Sequence, residues 1–306
     1  MRVLAGYCSD DRGADALALA ALVVRTVHTP LIVANVHPPP WPARGPGSVD
    51  AEWVAYLKGE SQAALAEAAA SLAESGVPEE DVTLRAHSHR GSGRGLIEVA
   101  RDVDADLIVI GSAPRGRRGR IAIGSTADQL LHGSPVPVLL APRGYAADPP
   151  DRFERMTVAY WARRDIEGPL SSATEIAGTL GVPLRLLTLV LRPPGLAAKF
   201  KAAKFKDAGG VLERQFAQAE DDLRDAAARL GTGTRAELRA AAGTGIAKTL
   251  GGVAMLPGEV LTCLSSHDGP LRKVFLGESS GKIVRAAPCP VLLLPRGPAA
   301  AKAQVG

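Results

Sequence analysis

SPVPVLLAPRG at residues 134–144 returns as APCPVLLLPRG at 287–297, an offset of 153 residues. At the same offset Tyr7 meets Tyr160, Arg120 meets Lys273, Ile123 meets Leu276 and Gly124 meets Gly277. The chain therefore reads as one unit written twice. Each copy of the repeated stretch is an apolar run of strand length behind Pro-X-Pro, which suits the last strand of a buried parallel sheet. Working back from it, RVLAGY (2–7), LIVANV (31–36), residues 81–87, DLIVIG (106–111) and 136–141 read as strands. Between them Asp11–Val27, Ala51–Ser75, 94–103 and 125–132 carry helical spacing. Gly76 and Pro78 stop the second helix. Five strands alternating with four helices predict a parallel sheet covered on both faces, with right-handed crossovers.

The second copy repeats the order, with strands near 156–161, 184–191, 234–240, 260–265 and 290–295. Its helices are predicted at 168–180, 210–230, 245–254 and 278–286. The fold class is thus α/β, two tandem doubly wound domains over 1–144 and 155–297, joined by a Pro-, Asp- and Arg-rich linker. AAKFKAAKFKDAGG at 197–210 reads as an insertion: a basic amphipathic start to the next helix or a contact for a membrane surface or acidic partner is one reading, and a solvated lysine face with Phe200 and Phe205 packing inward is the favoured one. Residues 37–50 form a proline and glycine loop.

Bulk composition limits the function classes. The 306 residues suit two domains of ordinary size. A formal charge of +4 and 4% aromatic content make no case for nucleic acid. Cys8, Cys263 and Cys289 have no spacing for a disulfide framework or a zinc knuckle. The absence of an 18-residue apolar stretch argues against a membrane span, and a strand begins with no leader before it, so a cytoplasmic protein is expected.

In an open parallel sheet ligands bind beyond the carboxyl ends of the strands, where the strand order reverses. Here that is the turn after the first strand and the loop GSAPRGRRGRIAIGSTADQL from Gly111 onward. Its glycines let main-chain amides approach phosphate, its arginines offer paired donors, and Ser125 and Thr126 begin a helix. The rival reading of the same residues is an exposed basic loop followed by an ordinary serine cap.

DLIVIGS (106–112), IAIGST (121–126) and the repeated SPVPVLLAP stretch make both halves resemble the universal stress protein family in tandem form. The resemblance implies a strand order of 3-2-1-4-5 in each domain. It also implies an adenine nucleotide, ATP or a related one, with or without Mg²⁺, held by the first domain alone. The site it implies comprises Gly6, Cys8, Val36, Gly111, Ser112, Arg115, Gly116, Arg118, Gly124, Ser125 and Thr126. Two positions depart from the family pattern: Pro114 replaces a loop glycine, and Cys8 stands where ATP-binding members carry aspartate. In the second copy Leu264, His267, Glu278 and Trp161 replace Gly111, Pro114, Ser125 and Cys8. A carboxylate at that helix start repels phosphate. The implied role is regulatory, with at most slow hydrolysis, self-association through the last strands and an unknown protein partner; nucleic acid and membrane are not expected. The alternative is a scaffold that binds no nucleotide and acts by dimerisation or partner binding.

Three weaker signals complete the reading. SHRGSGRGL (88–96) is a glycine-rich connection without dinucleotide spacing. GTGIAKT (243–249) imitates a phosphate loop but has Ala247 where glycine precedes the lysine. His87 and His89 share a strand face with no carboxylate at ligand spacing in sequence.

Overall fold

The structure, a computed structural model, describes residues 1–39, 49–161, 167–192, 208–231, 234–264 and 278–295. It divides into two compact units, the first Met1–Arg152 and the second beginning at Phe153. The first unit runs β1 (Val3–Gly6), α1 (Asp11–Val27), β2 (Leu31–His37), α2 (Val49–Glu74), β3 (Val82–Ser88), α3 (Ser92–Asp102), β4 (Leu107–Gly111), α4 (Ser125–Gly133) and β5 (Val138–Ala141). Its strands lie in the order β3-β2-β1-β4-β5, all parallel, with Val3 opposite both Leu31 and Leu107. The inner strands are apolar on both faces because helices cover both, α1 packing with α2 and α3 with α4, whereas the edge strand β3 is largely exposed. Leu4, Leu31, Ile108, Leu130 and Leu140 are fully buried in that double core.

Helix starts and stops follow local chemistry. The Asp10 side chain caps α1 by accepting from the N–H groups of Arg12 (2.9 Å) and Gly13 (3.2 Å). Beyond α2, Gly76 sits at φ +75°, a conformation glycine adopts at no steric cost, and Val77 N–H closes back on Leu72.

The second unit repeats the plan as β6 (Arg155–Ala159), α5 (Glu167–Thr179), β7 (Leu184–Leu191), α6 (Ala208–Ala228), β8 (Ala236–Gly243), α7 (Ile246–Gly251), β9 (Glu259–Leu264), α8 (Glu278–Ala286) and β10 (Val291–Leu294). The order is β8-β7-β6-β9-β10, again parallel. α4 and α8, and β5 and β10, stand 153 residues apart at both ends.

Two expectations are corrected. The helix predicted over 245–254 is only Ile246–Gly251, because Gly251 and Gly252 end it early. The stretch 197–210 is no insertion: β7 and β8 keep, to within one residue, the separation of β2 and β3, so this stretch replaces the proline loop of the first copy. Most of that stretch lies outside the described residues, as do residues 40–48 and 265–277.

Candidate functional site

β1 pairs with β2 on one side and β4 on the other, so crossovers leave in opposite directions and the carboxyl ends of β1 and β4 border a crevice. A cleft of ≈ 590 Å³ occupies it. Of the residues singled out in the sequence, Gly6, Cys8, Val36, Gly111, Arg115, Gly124, Ser125 and Thr126 line this cleft. Ser112, Gly116 and Arg118 do not; they hold the loop itself. The buried Ser112 hydroxyl accepts the Ala122 N–H (2.8 Å) and donates to the Ala113 carbonyl (3.3 Å), pinning the two ends of the loop together. The Gly116 carbonyl accepts from the Arg143 guanidinium (2.8 Å). Arg118 lies over Gly144, where a Cβ would come within 2.9 Å of its Nε.

The cap of α4 is a glycine. Gly124 occupies the cap position with no side-chain hydrogen bond, and Ser125 is the first residue inside the helix. Sequence reading offered a serine cap as the bland alternative; here the first-turn N–H groups receive no side-chain acceptor at the cap, and Gly124, Ser125 and Thr126 line the cleft. Thr126 shares its hydroxyl with Ser92 at 2.5 Å, which ties α4 to α3. A Cβ on Gly124 would come within 2.9 Å of the Ala113 Cβ, so the loop closes tightly over its cap.

Gly111 has a separate structural reason to be bare. A Cβ there would run into the Arg12 carbonyl, and one at Gly13 into the Cys8 carbonyl. These glycines let the first turn of α1 settle onto the ends of β1 and β4. Gly6, Gly91, Gly93 and Gly95 act alike toward Leu96, Gln129, Thr126 and Val36. The glycine-rich connection at 88–96 is therefore a packing device, as its spacing indicated.

Tyr7, in the turn after the first strand that the sequence placed at the ligand edge, also lines the cleft; sequence reasoning missed Arg12, Asn35, Ser92 and Leu96. Each is an isolated position on a strand end or helix start, without a spacing signal. Arg12 leans on Asp10, with Nε at 2.8 Å and Nη2 at 2.5 Å from Oδ2. Cys8 donates its S–H to Asp10 Oδ1 at 3.0 Å. Burial first, then the Asp10 carboxylate, pushes the thiol up to about 12, so Cys8 is a neutral thiol at neutral pH. Hydrogen bonds from Arg12 and Cys8 hold Asp10 below the usual carboxylate range although burial opposes this. The Asn35 amide donates to the Tyr7 carbonyl (3.1 Å), fixing the turn after β1.

Among the described residues no aspartate, glutamate or histidine lines the cleft, so the lining itself forms no Mg²⁺ cage. Elsewhere His87 and His89 meet a carboxylate that sequence spacing did not show. Glu98, eleven residues along on α3, places its carboxylate 2.9 Å from His87 Nε2 and 3.6 Å from His89 Nε2. The pair is a His–Glu–His clasp between β3 and α3, and it falls short of a metal site among the described residues. The phosphate-loop imitation at 243–249 is also accounted for: the buried Thr249 hydroxyl donates to the Gly245 carbonyl (2.8 Å).

In the second unit Leu264 ends β9 in the Gly111 position, and Trp161 stands partly exposed in the Cys8 position. Glu278 is the first residue of α8; His267 lies outside the described residues.

Among known proteins, the Universal stress protein family matches residues 1–142. Universal stress proteins of Mycobacterium tuberculosis and Mycobacterium bovis are 34% identical over 302 residues, covering 96% of this chain and 100% of each relative. A solved universal stress protein from Archaeoglobus fulgidus shares the fold at a TM-score of 0.62 and 16% identity, over 97% of this chain and 98% of that one. With two doubly wound units in the chain and one-third identity along almost its whole length, it belongs to the universal stress protein family.

Proposed function

We propose that the first unit binds an adenine nucleotide in the cleft beyond β1 and β4, and that the chain acts as a nucleotide-responsive regulator. The observation that carries this reading is the uncapped start of α4, Gly124–Thr126, facing a cleft with arginines at its border. Free N–H groups, the helix dipole and guanidinium donors together favour phosphate. Val36, Leu96 and Ile110 supply apolar walls suited to a base. In this reading ATP is the ligand, and the second unit, with Leu264, Glu278 and Trp161, binds none. With neither carboxylate nor histidine among the described lining residues, a general base for water is wanting there. ATP incubated with the protein is expected to persist. A cytoplasmic setting and self-association through β5 and β10 belong to the same proposal, the latter read by sedimentation. No described helix is long and apolar enough to cross a membrane.

Calorimetric titration of ATP into the wild type and Gly124→Asp tests the site. The variant puts a carboxylate at the cap and is expected to lose the heat of binding. Equal heats would remove the site from the first unit.

A second reading, a scaffold without nucleotide, is favoured by one observation. Gly111 is already required by the Arg12 carbonyl, so its presence alone needs no ligand. The same titration separates the two.

A further inference from the structure

Phosphate charge is met either by Mg²⁺ or by protein cations, and the two call for different side chains. Mg²⁺ takes octahedral oxygen ligands and is usually held by one or two carboxylates alongside phosphate oxygens. Among the described residues that line it, the cleft offers neutral oxygens, those of Ser92, Ser125, Thr126, Tyr7 and the Asn35 amide, besides main-chain carbonyls. Two carboxylates of described residues stand at its border: Glu67 on α2 accepts from the Ser9 hydroxyl and lies beside Tyr7, and Asp10 is fully engaged. Its Oδ1 accepts from Arg12 N–H, Gly13 N–H and the Cys8 thiol, and its Oδ2 from Arg12 Nε and Nη2. Recruiting it to a metal would uncap α1 and strip Arg12 of its partner. The neighbouring sulfur is a thiol, a poor ligand for a hard cation.

Two cations do line the cleft, on different elements. Arg115 is exposed on the loop and forms no ion pair among the described residues. Arg12 rises from the first turn of α1, and its main chain touches the Gly111 position at the start of that loop. Asp10 holds two of its three guanidinium nitrogens, which fixes the plane of the group. The third, Nη1, donates to no described residue, and the side chain is 41% exposed. A guanidinium fixed on one edge and open on the other is prepared for a phosphate oxygen.

We propose that Arg12 and Arg115 neutralise phosphate in this cleft without a divalent cation, so that the metal-free nucleotide is the form bound. The inference rests on the nucleotide reading above. It makes Arg12 a specificity residue: Mg²⁺ on the phosphates would claim the same oxygens and set positive charge beside the guanidinium.

The full chain is titrated with ATP in excess EDTA and in excess Mg²⁺, and with adenosine as a third arm. Tighter binding of ATP in EDTA is expected. Arg12→Gln is expected to abolish that preference and weaken ATP about tenfold, the scale of one lost charge-assisted contact, while adenosine is unchanged. Tighter ATP binding in Mg²⁺ overturns the proposal, and so does an equal loss for ATP and adenosine in the variant, which marks a structural role. If Arg12→Gln does not fold, Arg115→Gln carries the same comparison with the same outcomes. Should the wild type bind adenosine but show no ATP preference in either buffer, the proposal fails while the base site stands. With no heat in any arm, the nucleotide reading falls and takes the proposal with it.

Discussion

At the residue scale, single atoms decide which glycines serve the fold and which serve the loop. Gly111 faces the Arg12 carbonyl so closely that any side chain must move main chain. Gly111→Ala is therefore expected to lower stability by about 1–3 kcal/mol, the usual cost of overpacking, as read by urea unfolding. Unchanged stability would mean the glycine is kept for another reason. The cysteines carry a pH prediction. Burial raises Cys8 and Cys263 from an ordinary 9.0 to about 12. A raised folded value means the folded chain holds its proton longer than the unfolded one. Their contribution is whole below pH 9 and is lost as pH climbs toward 12. Denaturant midpoints should decline across that window, and Cys8→Ala should flatten part of the decline; a slope identical to wild type would contradict the assignment. The motif glycines were readable in the sequence because they recur at fixed spacing. The reason for Gly111 was not, since the carbonyl it meets belongs to another element. Arg12 was passed over for the same reason: nothing in GYCSDDRGAD says which side chain turns toward β4.

At the element scale, the strands were legible from apolar runs and the helices from their spacing, and α1 and β7 match at both ends. What stayed hidden was polar chemistry assembled from several strands. At the amino ends of β6, β7 and β9, opposite the ligand edge, Glu259 is wholly buried and accepts from Arg185 Nη2 (2.5 Å), Arg155 Nη2 (2.8 Å) and Leu256 N–H (2.8 Å). Thr157 also donates to it, and Arg185 Nε donates to Thr157 Oγ1 at 2.8 Å. The partners lie far apart along the chain, so no local pattern announces them. The counterpart in the first unit is modest: Asp106, half exposed, accepts the Arg2 N–H at 2.7 Å. Removing one member of a buried ion cluster leaves charge without a partner. Glu259→Ala is expected to cost about 3–5 kcal/mol. Asp106→Ala should cost less than about 1 kcal/mol. Thermal or urea unfolding of the two variants checks the contrast, and equal losses would contradict it.

At the scale of the whole molecule, duplication kept the scaffold and let the two ligand edges diverge. The shared offset preserved strand order and core in both units. The loop after the fourth strand has Gly111, Ser125 and the arginines at 115, 117 and 118 only in the first, while Gly124 has its counterpart in Gly277. The duplication could be read directly from SPVPVLLAPRG and its echo, because a buried strand tolerates little change in pattern. Which unit binds ligand is a different kind of statement, and it predicts an asymmetric response. Hydrogen exchange with saturating ATP should slow amides over 111–126 and the start of α1, and leave 259–264 and 278–286 unchanged. Ligand at a hundred times its dissociation constant stabilises the binding unit by about 2.7 kcal/mol, enough to register in that experiment. Protection shared equally by both units would contradict the asymmetry.

The most direct test is a crystal structure of the full chain grown with ATP in a metal chelator. Phosphate density over the amides of Gly124, Ser125 and Thr126, with Arg12 in contact and the second unit empty, is the predicted result. An empty first cleft, or nucleotide bound only beyond β6 and β9, would contradict the account.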